Sequence, residues 1–526
     1  MHPVPAPSAQ PDSWRPPQWL LLITALSCCT LLINGYHPLA EDGGLYVAGV
    51  QYALDPTLFP HYTIFVTEHL HFSIFAPTLA FLVRSTHLSL PTALLFTDLF
   101  SLWLTFYAAH KLLQRTFVND VAQLFGLCLL AVFWTLPIAG TSLLLMDPYV
   151  TARSLSTPLS LLATAFALDN RAHLRPLFAC ALSLLLAAAF HPLMAAYALA
   201  FILTLRLTRL PKRHFIWAIL TVLALALADA IYLLAPPETL AIIAAEKSRY
   251  YWFLSQWQWF ELLGLAGPLA VLALLLRRFR HQSDPLSINA ATLCRASIAI
   301  GGIAILVALL FAHENAPTHL VARLQPLRVF LMIYAVMTVL LGATLTQLWL
   351  EARARARTHP TPPRVAIAII PAFILVALAA TMFAVQRSTF PDSRHLELPW
   401  LSVRNPWSQA FLWARANTPP DALFALDAKY VNEDGEDAQT FRATALRSAL
   451  PDFSKDGGEA AITPALAQQW QPAAAAQINL STESDVIRDP RLLYFGVTWL
   501  VLHSTAPTAH TCPYDNGSIK ICRLTP

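Results

Sequence analysis

The chain has 526 residues, 56% of them hydrophobic and 13% charged, with a net charge of +4 and a mean hydropathy of +0.52. Soluble globular chains carry about 25% charged residues because their surface faces water, so this composition points to a surface that faces lipid. The positive charges sit in short clusters between apolar runs, which gives no reason for a nucleic-acid partner.

The N-terminal tail, 1–17, is polar and Pro-rich with a single Arg. It lacks the basic start and the cleavage site of a signal peptide, so the run from Trp19 to Ile33 predicts an uncleaved first span. Apolar runs follow near 91–110, 121–140, 150–168, 176–190, 192–206, 214–235, 260–276, 295–312, 327–349 and 365–386. With the first, near 18–36, they predict about eleven transmembrane helices within a membrane domain of 18–386. Several are shorter than the roughly 20 residues a span prefers, so their ends borrow flanking residues.

Loop charge sets the orientation. One set of alternate loops holds Arg15, Lys111, Arg115, Arg171, Arg175, Arg206, Arg209, Lys212, Arg213, Arg277, Arg278, Arg280, Arg353, Arg355, Arg357 and Arg364. The other holds Arg84, Arg153, Lys247, Arg249, Arg323 and Arg328, a bias of 16 against 6. The richer set belongs in the cytoplasm, so the N-terminus is cytoplasmic and the C-terminal region extracytoplasmic. The first outer loop, 37–90, is then long. Its apolar stretch 70–85 is read as a helix lying on or dipping into the outer face, since a twelfth span would invert every later loop.

Beyond about Arg387 the pattern changes to that of a soluble α/β domain, 387–526. Helices are predicted at 406–416 and 464–476, and strands at 422–427, 498–503 and 518–523. Five of the seven cysteines lie in apolar runs; Cys512 and Cys522 alone sit in polar sequence, bracketing Asn516-Gly517. That spacing predicts a disulfide closing a hairpin, which requires an oxidising compartment. There is no internal repeat of the kind many transporters carry.

The most informative residues are Glu41 and Asp42, followed by Gly43, Gly44 and Tyr46, just past the outer end of the first span. A carboxylate there can act as general base toward an acceptor hydroxyl, or the pair can hold a divalent metal such as Mg or Mn. The alternative is a solvated loop with an acidic helix start favoured by the helix dipole. An early acidic pair, many spans and an extracytoplasmic α/β tail together resemble the GT-C superfamily of membrane glycosyltransferases, in a build most like bacterial polytopic membrane proteins of uncharacterised activity. The resemblance implies a GT-C-like membrane domain in the bacterial inner (plasma) membrane with a periplasmic tail. It also implies transfer of a sugar from a polyprenyl-phosphate donor to a lipid or glycan acceptor, with Asp42 as the base and Glu41 second. Only the acidic pair matches a family motif, and here Tyr46 follows two glycines instead of the acids directly.

Asp147, beside Arg153 in the next outer loop, matches by position a further acid of some GT-C enzymes; as Asp147-Pro148 it is also a natural helix start. Arg323 and Arg328, outside against the charge bias, suit a lipid-linked phosphate or lipid head groups. His191, before Pro192, is a turn residue or a substrate contact. Trp257 and Trp259 belong to a head-group belt or stack on carbohydrate. Asp98 and Asp229 are isolated intramembrane acids, and the acidic stretch 432–437 lacks calcium-loop spacing. Trp407, Trp413, Phe441 and Arg442 shape either a glycan or partner surface or the tail's ordinary core and rim. A transporter or flippase, or a non-catalytic scaffold, stays open as an alternative.

Overall fold

The computed structural model describes residues 14–169, 174–210, 213–316, 318–358, 364–426 and 438–524. The tail 1–13, the loop cations Arg171 and Lys212 and the acidic stretch 432–437 lie outside the described residues. Each apolar run becomes a helix: Pro16–Asn34, Leu90–Leu113, Asp120–Val132, Ala152–Ala167, Leu174–Phe190, Pro192–Leu207, Arg213–Leu234, Trp259–Phe279, Pro285–Phe311, Phe330–Thr358 and Arg364–Thr389. Local chemistry fixes their starts. Asn119 caps Val121 N at 2.9 Å, Asp284 caps Ser287 N at 2.9 Å, and Pro192 opens its helix with His191 extended before it.

Among the described residues, seven helices are long and apolar enough to cross a membrane, or eight if one bent pair counts as a span. Side chains such as Leu21, Leu227, Leu274 and Phe373 remain exposed on them, as lipid-facing surface does. The chain is a multi-pass membrane protein.

The helix ends gather at two poles. At one, Arg115 grips Asp169 with two bonds of 2.9 Å, Arg209 donates to Asn289 at 2.9 Å, and Asn289 donates to Arg115 O at 3.0 Å. Trp14 N reaches Asp120 at 2.5 Å, Phe117 packs on Phe279, and Arg278 pairs with Glu351. The loops 35–41, 133–151 and 236–258, the turn at His191 and the segment 318–328 lie at the other pole, joined by the contacts described below. The bent pair, Ile64–Phe72 and Phe75–Thr86, turns through 97°. Ser73 Oγ holds Phe190 O at 2.6 Å and Arg84 holds Ala53 O at 2.7 Å, so its bend is tied beside the His191 turn and its C-terminal end to helix Asp42–Leu54.

Behind the last long helix the chain forms a mixed sheet. Strands β1 (Leu423–Leu426), β2 (Ser448–Ala449), β3 (Trp499–His503), β4 (Tyr514–Asp515) and β5 (Ile519–Arg523) lie in the order β2-β1-β3-β5-β4. The β1 pairings are parallel, while β5 runs antiparallel to β3 and β4. Gly517 turns between β4 and β5 at φ 87°, and Cys512 is bonded to Cys522. Trp407, Phe411, Phe424 and Phe441 fill one side of the sheet, so Trp407 and Phe441 are core residues and form no glycan surface.

The sheet domain docks on the second pole. Tyr36 N donates to His395 O at 2.9 Å and Glu397 N to Tyr36 O at 3.0 Å. Gly35, at φ 80°, lies so close that a Cβ would fall 2.8 Å from His395 O.

Candidate active site

Helix Asp42–Leu54 begins at the acidic pair, with Glu41 in the cap position at φ 48°, a strained conformation for a residue with a side chain. The two glycines that follow have separate reasons. A Cβ at Gly43 would meet Pro38 O at 2.5 Å, and one at Gly44 would meet Thr440 N, in helix Ala438–Ala445 of the sheet domain, at 2.7 Å. Thr440 Oγ1 donates to Leu39 O at 2.8 Å and Gln51 Nε2 to Ala443 O at 2.7 Å, so the domain is pressed directly against the acidic helix.

From that domain comes a lysine. Lys455 Nζ is paired with Glu41 and lies 3.2 Å from Asp42 Oδ1. The carboxylates are still 48% and 40% exposed, so a substrate can reach them. Partial burial alone would raise the Asp42 carboxyl, but Lys455, then Arg153 and Arg328, hold it down to about 2. It stays ionised across the physiological range.

The loop carrying Asp147 is tied to the same place by His37 N, which donates to Pro148 O at 2.8 Å. Asp147 does not start a helix. Thr151 caps Ala152–Ala167 in a reciprocal box with Ser154, which leaves Asp147 to pair with Arg153. Burial raises the Asp147 carboxyl even so, with Asp42 adding to the rise. His191 lies within electrostatic reach of Arg153, Arg328 and Asp42.

Arg328 lies within a 3₁₀ turn, Pro326–Val329, and forms no ion pair among the described residues. Its Nε is buried without a partner, as is Trp252 Nε1. Both residues line a small cleft with Thr141, Tyr251, Gln325 and Leu327. Unsatisfied buried donors beside a fixed guanidinium suit an anionic, oxygen-rich group.

Other expectations separate from this cluster. Arg323 is paired with Glu246 and lies 3.7 Å from Glu238, so its charge is met by protein and not left for a phosphate. Trp257 is 7% exposed, packed where a Cβ on Gly140 would sit 2.6 Å from its ring, and offers no face to a sugar. Trp259 is 72% exposed at the start of a spanning helix, as a belt residue is. Arg442 is fully buried and holds Asp456 through bonds of 2.8 and 2.9 Å, a role inside the tail and not on its surface.

Two clusters bring three ligating side chains within 4.8 Å of one another, Glu238–Glu246–His319 and Asp485–Asp489–His510. Each already contains an arginine, Arg323 in the first and Arg488 in the second. Glu41 and Asp42 belong to neither, and Asp147, one of the acids near them, is engaged by Arg153. With the Lys455 ammonium on both carboxylates, the pair does not fit a divalent ion.

No protein-family model matches the sequence, and no curated protein matches it. Among solved structures, the chain is similar to the archaeal oligosaccharyltransferase AglB from Archaeoglobus fulgidus, solved in complex with an inhibitory peptide and a dolichol-phosphate. The match has a TM-score of 0.51 at 12% identity and covers 93% of this chain and 70% of that one. The fold is GT-C. The acidic pair, the Asp147–Arg153 pair and Arg328 lie together at one pole of this fold. Sequence reasoning missed Lys455 and its neighbour Glu459, whose carboxyl is raised by burial, and further by Asp456 and Asp42, to about 8.

Proposed function

We propose that this protein moves a sugar from a polyprenyl-phosphate-linked donor to a lipid or glycan acceptor at the outer face of the inner membrane. The observation that carries the reading is the convergence of Asp42, the Asp147–Arg153 pair, His191 and Arg328, which has no ion pair among the described residues, at one pole of a GT-C fold. The acceptor oxygen attacks the anomeric carbon, its proton passes to Asp42, and the bond from that carbon to the phosphate oxygen breaks. Charge grows on the departing phosphate, where Arg328 is fixed in advance to meet it. The Asp147–Arg153 pair orients the region between base and leaving group. AglB was solved with a dolichol-phosphate, which fits a donor carried on a lipid phosphate here.

Eleven helices running between the two poles fit an eleven-span topology with a cytoplasmic N-terminus. Four of the six outer-loop arginines and lysines that break the charge bias have protein partners: Arg84 with Ala53 O, Arg153 with Asp147, Arg249 with Ser454 O and Arg323 with Glu246. The bonded Cys512 and Cys522 fit an oxidising, periplasmic side for the tail. The test is incorporation of labelled sugar from polyprenyl-phosphate donors by membranes carrying the wild type or Asp42→Asn. Loss of the base lowers transfer by at least about 10²-fold; equal incorporation overturns the assignment.

A further inference from the structure

Lys455 is held far more firmly than a surface lysine. It opens helix Lys455–Ile462, and the two residues before it are gripped from the membrane domain. Arg249 donates to Ser454 O and to Phe453 O, each at 2.6 Å, with its guanidinium 5.6 Å from the centre of the Phe453 ring. The residue after it, Asp456, is fully buried against Arg442 and accepts from Asp452 N at 2.9 Å. Gly457 makes room for this clamp, since a Cβ there would lie 3.0 Å from the Trp470 ring and 3.1 Å from an Arg249 nitrogen. The backbone on both sides of Lys455 is thus fixed, and its ammonium is delivered to Glu41 and Asp42 across 414 and 413 residues of sequence (455 − 41 and 455 − 42).

We infer that Lys455 is the resident cation of the Glu41–Asp42 pair and keeps divalent metal out of it. An ammonium offers three donors and one charge, enough to bond both carboxylates. A divalent ion between the same oxygens would sit against that charge in a partly buried recess, where repulsion is weakly screened. The pair has no third ligating side chain close enough to share an ion among the described residues. This assignment deepens the proposed function, since it names the cation of the same site, but it can be measured without turnover.

The experiment is a Mn2+ titration of the full-length protein in nanodiscs, read by electron paramagnetic resonance, on the wild type, Asp42→Asn, Lys455→Met, Lys455→Arg and the double variant Lys455→Met/Asp42→Asn. Subtracting the Asp42→Asn signal removes any ion held by the other two clusters. The wild type is expected to show no Asp42-dependent Mn2+ site. Lys455→Met opens one, at least about tenfold tighter than in the wild type and absent from the double variant, while Lys455→Arg keeps the site closed. Wild-type Mn2+ binding that disappears in Asp42→Asn overturns the inference, as does a Lys455→Arg protein that admits the ion. Should this Mn2+ pattern hold while membranes transfer no sugar, the cation assignment stands and the proposed function falls.

Discussion

Arg249 joins the two halves of the protein, and replacing it tests whether docking of the sheet domain is what places Lys455. In Arg249→Ala, Phe453 O and Ser454 O each lose a charge-assisted bond of 2.6 Å. Such bonds contribute about 1.5–3 kcal/mol each, and the lower end for two gives about 3 kcal/mol. At about 1.4 kcal/mol per factor of ten, the population in which helix Lys455–Ile462 lifts from the membrane domain rises roughly a hundredfold. Hydrogen–deuterium exchange reads this directly. Amides such as Gly458 N, bonded to Ser454 O at 2.9 Å, lose protection, while β1 keeps its own. Arg249→Lys falls between, because one ammonium cannot span two carbonyls as the planar fork does. Unchanged exchange over 455–462 in Arg249→Ala refutes the clamp. Loss of protection in β1 as well would mean that the domain itself unfolds, which refutes it equally.

Gly44→Ala forces a methyl to 2.7 Å from Thr440 N, backbone that cannot swing aside, and should lower stability by about 1–3 kcal/mol in thermal unfolding. Gly267→Ala, with nothing within 4 Å, is the matched control and should not lower it. The Glu238–Glu246–His319 cluster makes stability pH-dependent. Burial would lower the His319 imidazole, but its bonds to Glu238 and Glu246 raise it from 6.5 to about 10. A raised histidine contributes its full stability below pH 6.5 and loses it as pH rises toward 10. His319→Gln should therefore cost most below pH 6.5, and the gap from wild type should close toward pH 10; a gap independent of pH refutes the protonated cluster.

What could be read from the chain alone follows from range. Periodicity is local, so the apolar runs and the strands around 423–426, 499–503 and 519–523 are visible in a short window. The acidic pair was visible for the same reason, because Glu41, Asp42 and two glycines are consecutive. Asp147-Pro148 misled at the level of helix starts, since the local rule favours a cap there while tertiary pairing with Arg153 moved the cap to Thr151. Arg323 and Arg328 are five residues apart and read alike; only the fold puts Glu246 against the first and a small cleft beside the second. Lys455 was least legible of all. Its own segment, Ser454-Lys-Asp-Gly-Gly, reads as a plain polar helix start. Its helix of eight residues has few apolar positions to reveal it. The partners that give it meaning are Glu41, Asp42 and Arg249, each two hundred residues or more away. The same separation explains the architecture: a cation brought by a separate domain reaches the carboxylates only when that domain is seated, so the Lys455 ion pair with Glu41 and Asp42 reports docking.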